Sequence, residues 1–353
     1  MKTISALFVA SLFGSLSHAD PTNQVVTVLG EFPQRPGNPA VGPDGTVYFS
    51  MHPFDNPEFS VMRLENGAAV PYPSEAMSRD FGSVIGIQAT QDGSVWMLDM
   101  GSEDLSPKLV GWDSETDQLK AVYTVPREAR VPNSFLQDFA IDEKRQKAFL
   151  ADMSRGGLID ASEPAIVVID LQTGDTRRVL SGDPVFQPSE TPIIAEGKEM
   201  QMRDTDGTVH PIKLGLNPIA IDPENEWIYF GPMTPGNLYR VPAAVLGDFS
   251  QPEEVIRDSI EIYAEKPSSD GIAAGKNGVV YITNVDESRI DAADGGGTNP
   301  WAVDDRLIWP DAIAIGPDGK AVVVANQLNR AAVFNDGQSL AEPPYLILEI
   351  SDN

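Results

Sequence analysis

Five polar side chains recur at one kind of position in this chain: Asn38, Asp138, Asn217, Asp270 and Asp311. Each stands at the head of a short apolar run, as in Asn217-Pro-Ile-Ala-Ile-Asp222 and Asp311-Ala-Ile-Ala-Ile315. If those runs lie side by side, three carboxylates and two carboxamides point into one narrow space. Carboxylates crowded there bind a hard cation, hold protons above their usual range, or accept hydrogen bonds from nearby backbone amides. An all-oxygen set favours Ca²⁺ or Mg²⁺ over zinc or copper. A divalent ion, Ca²⁺ first, is therefore expected between Asp138, Asn217, Asp270 and Asp311, with Asp270 and Asp138 as the catalytic carboxylates that activate water. Asp or Asn at a strand head also ties neighbouring sheets together through backbone hydrogen bonds, and that structural role stays open beside the chemical one.

Other chemistry is scarce. His52, beside Pro53 and Phe54 at a strand end, is a rim residue or a general base. Trp309 and Tyr281 either pack or flank a ring-shaped ligand. The chain has no cysteine, which removes disulfides, zinc-thiolate sites and thiol nucleophiles. It has no Gly-x-Ser-x-Gly elbow and only His52 and His210 beyond residue 19, which argues against a Ser-His-Asp hydrolase. Asp204-Thr-Asp206-Gly207 lacks the later glutamate of a calcium loop and reads as a turn. Gly271-Ile-Ala-Ala-Gly275-Lys276 is one residue short of a phosphate loop and lies in a strand pattern.

The elements that must position these residues repeat six times. Each copy is an alternating apolar strand, a polar turn and a second alternating strand. The pairs include Gly37-Asn-Pro-Ala-Val41 with Thr46-Val-Tyr-Phe-Ser50, and Gln137-Asp-Phe-Ala-Ile-Asp142 with Ala148-Phe-Leu-Ala-Asp152. Period-two alternation around Asp-Gly or Asn-Gly marks β-hairpins. Third and fourth strands follow several copies, such as Ala165-Ile-Val-Val-Ile-Asp170 and Thr176-Arg-Arg-Val-Leu180. The repeat predicts an all-β, six-bladed β-propeller with four antiparallel strands per blade. A spare strand at residues 23–30 is expected to pair near residues 345–350 and close the ring. The proline-rich stretch 181–214 is expected as a loop or subdomain over one face.

Residues 1–19 read as a signal peptide: Lys2, an apolar run over 4–16, and Ser17-His18-Ala19 before Asp20. The remaining 20–353 is expected to be one propeller domain, exported to a periplasmic or extracellular space and monomeric. Absence of cysteine leans toward a bacterial periplasm. With 52 acidic against 25 basic residues the net charge is −27, which excludes nucleic acid as a natural partner. No later segment reads as a membrane anchor.

Arg35-Pro-Gly-Asn-Pro39, Met51-His-Pro-Phe54, Leu136-Gln-Asp138, Asn237-Leu-Tyr-Arg240, Lys266-Pro-Ser-Ser-Asp-Gly271, Leu307-Ile-Trp-Pro-Asp311 and Asn326-Gln-Leu328 occur in this order. Together they resemble the major royal jelly protein/yellow family. The resemblance implies a secreted six-bladed propeller with a small-molecule site at the channel. Members include pigment-pathway proteins described as dopachrome-converting and salivary proteins that bind biogenic amines. Asn38, His52, Trp309 and Gln327, in or beside these motifs, are the candidate ligand contacts. More distantly the chain is similar to the gluconolactonase/senescence-marker group, which hydrolyses lactones with one divalent cation. That group's first-blade glutamate is replaced here by Gly37-Asn38-Pro39. Three functions follow: metal-assisted hydrolysis of a lactone-like substrate as the first expectation, binding of an amine or aromatic ligand, and tautomerisation of a quinone-type compound. Mass spectrometry of protein from its host should find Asp20 as the first residue; an intact Met1 in soluble cytoplasmic material would contradict export.

Overall fold

Alternating Val, Ile, Ala and aromatic residues, broken by polar turns, fold into six four-stranded antiparallel sheets. The computed structural model describes residues 24–353 apart from 103, 156, 157 and 159–161. The leader at 1–19 and Asn23 of the expected closing strand lie outside the described residues.

The innermost strands of blades 1 to 6 are Pro36–Val41, Val84–Ala89, Leu136–Asp142, Leu216–Ile221, Ile272–Ala274 and Pro310–Ile315. Their side chains alternate between the channel and the inter-blade core, as period-two strands require. The core fills the spaces between blades. One cluster joins Phe149, Ile166, Leu216, Ile228 and Phe230 across blades 3 and 4.

Blade 6 is composite. Pro310–Ile315, Ala321–Ala325 and Tyr345–Asp352 receive Gln24–Phe32 as their outermost strand, with Val26 opposite Ile350 and Phe32 opposite Tyr345. The closing strand is where the sequence predicts it. Pairing the two ends of the chain in one sheet removes an unpaired edge and locks the ring.

Five of the six inner strands carry a register shift at their head, at Pro36/Pro39, Val84/Ile87, Leu136/Asp138, Leu216/Ile219 and Pro310/Ala312. Such a bulge leaves backbone groups unpaired and re-aims consecutive side chains. Ser50 and Thr283 satisfy the freed groups. Ser50 Oγ accepts from Asn38 N (2.9 Å) and donates to Ile85 O of the next blade (2.7 Å). Thr283 Oγ1 accepts from Gly271 N (2.9 Å) and reaches Asp311 O (3.3 Å). Gly271 is required here, since a Cβ would sit 2.7 Å from Asp311 O.

The 181–214 stretch contains two hairpins, Ile194–Ala195 with Lys198–Glu199 and Gln201–Arg203 with Val209–Pro211. They lie over the strand heads. Asp204 forms the expected turn, its Oδ1 accepting from Asp206 N (3.1 Å) and Thr208 N (3.0 Å). Among the described residues no helix is long and apolar enough to cross a membrane.

Phe32, 5% exposed, packs on Phe49 at 5.1 Å between ring centroids. Phe32→Ala should cost about 3–5 kcal/mol of unfolding free energy, measured in denaturant, through the cavity left beside the closing strand. A loss near zero would show that the strand adds no stability.

Candidate functional site

Strand ends of all six blades bring side chains to the mouth of the channel, those of blades 2, 3, 4 and 6 through bulged strand heads. A cavity of about 60 Å³ lies there, lined by His52, Ile85, Gln137, Asn217, Asp270, Trp309 and Asp311 at its base. Its walls are apolar: Phe54, Phe135, Met153, Met233, Leu328 and Phe334. Met200, Ile212 and Leu214 of the inserted segment close it from above. A mostly apolar pocket with a few converging polar groups is the usual form of a small-molecule site.

Two carboxyl groups dominate its base. Asp270 Oδ1 accepts from Asn217 Nδ2 (2.6 Å) and Oδ2 from Trp309 Nε1 (2.8 Å). Gln137 donates in turn to Asn217 Oδ1 and, at 2.9 Å, to Asn217 O. Asp311 is the buried carboxyl neighbour of Asp270, and two such groups crowded together favour a state in which one of them keeps a proton. Burial pushes Asp270 up to about 6, against the donors Trp309 and Asn217. Burial and the neighbouring Asp270 hold Asp311 well above the usual carboxylate range.

The supports of this pair are themselves buried. Asn326 donates to Asp311 and to Pro36 O (2.9 Å), tying blade 6 to blade 1. Arg35, 1% exposed, donates from Nε to Asn326 O (3.0 Å) and pairs with Asp55 at 2.6 Å. Burial pulls Lys266 down to about 7, and its Nζ donates to Pro267 O (2.8 Å) in the loop that leads to Asp270. Trp309 itself sits at φ 49, a left-handed conformation that costs a bulky residue free energy and signals a constrained site.

His52 lines the same cavity. Its Nδ1 accepts from Phe54 N (3.3 Å), which assigns the proton to Nε2. Burial first, and Arg35 second, depress it to about 3, so the ring is neutral at physiological pH.

The other expected residues lie elsewhere. Asn38 and Asp138 line a second cavity, the channel below, of about 170 Å³. Asp138 lies deep in the molecule yet touches the channel lumen, and burial raises it to about 7. Its carboxylate accepts from Phe139 N (2.9 Å) and, across the blade boundary, from Ile219 N (3.4 Å), the stitching role that its position also allowed. Gln327 is not in the cavity: its side chain bonds Glu342 N and O (both 2.9 Å) and Arg330 (3.1 Å), bracing a loop. Tyr281 packs on Trp301 at 4.5 Å.

The residues expected around a cation lie at two levels, Asp138 on the channel and Asn217, Asp270 and Asp311 at the mouth. Among the described residues no three His, Asp or Glu side chains converge as metal ligands. Asp138 faces the channel, and the Asp270 oxygens already receive N–H donors from Asn217 and Trp309. Each Asp270 oxygen thus keeps one acceptor site beyond its N–H donor.

The fold is a six-bladed propeller with a largely apolar pocket at the mouth of its channel. Residues 82–331 match the Major royal jelly protein family, and the chain belongs to that family. No curated protein matches it in sequence. Solved structures share the architecture at low identity. A gluconolactonase from Xanthomonas campestris superposes with TM-score 0.56 at 9% identity, over 93% of this chain and 89% of that one. A calcium-binding protein, regucalcin, from Agrobacterium tumefaciens gives 0.54 at 17%, over 92% and 94%. The PQQ-bound aldose sugar dehydrogenase from Streptomyces coelicolor gives 0.53 at 16%, over 94% and 100%. Proteins so differently named on one scaffold show the fold alone.

Sequence reasoning missed Gln137, the methionine and phenylalanine walls and the inserted roof. Gln137 carried a signal, since it precedes Asp138 at a strand head where a bulge exposes consecutive residues.

The raised Asp270 makes a pH prediction. Between the ordinary carboxyl range near 4 and about 6, the folded protein keeps a proton that the unfolded chain releases. Stability from this group therefore falls as pH rises through that window, and Asp138 acts the same way up to about 7. His52 acts oppositely, losing stability as pH falls from about 6.5 toward about 3. Asp270→Asn removes the first contribution and lessens that of Asp311, which the Asp270 charge helps to raise. In thermal melts, the variant should gain on the wild type by about 2 kcal/mol between pH 4 and 7. A constant difference would show that Asp270 titrates normally.

Proposed function

We propose that the protein holds a small, flat, largely apolar molecule in the mouth and moves a proton on it, a tautomerase-type reaction without a metal. The observation that carries this is the pair of buried carboxyl groups, Asp270 and Asp311, side by side at the base of an otherwise apolar pocket. A carboxyl group poised near neutrality is matched to general acid–base work. Asp270, when ionised, takes the proton; Asp311 beside it holds the shared proton and limits the pair to one charge. Neutral His52 offers Nε2–H to a substrate oxygen where negative charge develops, and the apolar walls keep water from competing. The proton returns to another atom of the same molecule, so no oxidant or cofactor is consumed.

Resemblance to dopachrome-converting relatives supports a quinone-type substrate. A second reading is binding of an amine without turnover: the pair's single negative charge under Phe54, Phe334 and Trp309 suits an ammonium group attached to an aromatic ring. Metal-assisted lactone hydrolysis is less favoured, because Asp138 lines the channel apart from Asp270 and Asp311, which leaves two carboxylates at the mouth. A monomer exported from the cytoplasm accords with either of the first two readings.

The purified protein should be assayed with dopachrome and keto–enol substrates, a lactone panel and aromatic amines, each with calcium and with chelator. Chelator-insensitive tautomerisation that falls about 10²–10⁴-fold in Asp270→Asn is expected. Amine binding without any turnover would establish the second reading. Lactone hydrolysis lost with chelator and restored by calcium would overturn both.

A further inference from the structure

We propose that the two hairpins over the mouth form a gate, held shut by the grip of Glu196 on Arg330 and Asn329, and that ligand enters when this grip is released. The gate serves the pocket proposed above, but its opening can be measured with no ligand at all.

The pocket as it stands is too small for a ring-sized ligand. About 60 Å³ is the liquid volume of about two water molecules, well below the roughly 150 Å³ cavity that takes a benzene ring. Met200, Ile212 and Leu214 seal it, packed in one cluster with Met153, Met233, Trp309 and Leu328. A ring-sized molecule therefore reaches Asp270 only if the roof moves.

The roof is an element suited to moving. Each of its hairpins is two-stranded, and such hairpins are marginal alone. Among the described residues its other polar ties include Ile194 N to Asp286 Oδ1 (3.3 Å), the exposed Arg203–Asp336 pair (2.8 Å), and, at its far end, Arg155 to Lys213 O and Thr234 N to Leu214 O (3.4 Å). Opening such a unit is a local event that leaves the ring intact.

Glu196 is out of place except as a latch. It and Gly197 form a two-residue turn with φ 49 and 74, and that turn favours Asn or Asp before Gly. A glutamate there breaks the local preference, and its carboxylate explains why: it accepts from Arg330 Nε (2.9 Å), Arg330 Nη2 (2.5 Å) and Asn329 Nδ2 (2.7 Å). Local rules are broken mainly where function requires it. Arg330 also donates to Gln327 Oε1 (3.1 Å), so the latch is seated on the segment that carries the pocket walls Leu328 and Phe334.

The test uses Glu196→Asn, which creates a preferred Asn-Gly turn while cutting the grip, so the hairpin is kept and only the latch is lost. Hydrogen peroxide is applied briefly, and oxidation of Met200 and Met233 is followed by peptide mass spectrometry. Met97, fully buried in blade 2, is the internal control. Oxidation of Met200 and Met233 should rise about fivefold in the variant, and also in wild type at high salt, with Met97 unchanged. Unchanged oxidation in both conditions would overturn the gate. An equal rise at Met97 would also overturn it, by showing general destabilisation. Failure to find a substrate would leave this result standing, so the two proposals fail separately.

Discussion

Two carboxyl groups, Asp270 and Asp311, meet where there is too little water for both to ionise. Two like charges about 4 Å apart repel by about 4 kcal/mol at an effective dielectric near 20, and less polarisable surroundings raise that cost. Sharing one proton relieves it. The rest of the mouth serves this arrangement: Asn217, Trp309 and Asn326 aim N–H groups at the oxygens, and buried Arg35 stands behind Asn326. No added cation is needed to balance a site that already carries its proton.

The ring makes that chemistry possible by being closed and bulged. Pairing Gln24–Phe32 with Tyr345–Asp352 fixes blade 6 against blade 1, and Asn326 bonds across the same seam to Pro36 O. Closure and site thus share one residue. The bulges at the strand heads turn Gln137 toward the mouth and Asp138 toward the channel, which divides one expected cluster into two levels. The upper level is dry and apolar-walled; the lower opens on the channel lumen.

The fold was legible because its signals are local. Alternation such as Ala321-Val-Val-Val324, polar turns and the spare N-terminal strand each specify a piece of a propeller blade, and six copies leave little choice of architecture. Asn217, Asp270, Asp311, His52 and Trp309 were also legible as mouth residues from their places at strand ends. Three things were not. A one-residue register shift decides whether Asp138 faces mouth or channel, and no residue type announces it. Whether Asp270 meets a cation or an N–H depends on Trp309, which is distant in sequence and held at φ 49. Gln327 sits in a recognisable motif, yet Asn326 beside it reaches the site while Gln327 braces the loop. The roof over 181–214 was placed correctly as a cover, but its pocket-facing methionine and leucine could not be told from ordinary core residues.

The account rests on one proton held between Asp270 and Asp311 at neutral pH. Infrared spectroscopy reads it directly through the carbonyl stretch of a protonated carboxyl group, which differs from that of a carboxylate and shifts in heavy water. At pH 7 the wild type and Asp138→Asn should both show that band, and the Asp138→Asn/Asp270→Asn/Asp311→Asn triple variant should lack it. A wild-type protein without the band, both carboxylates ionised, would contradict the account and return the site to a bound cation.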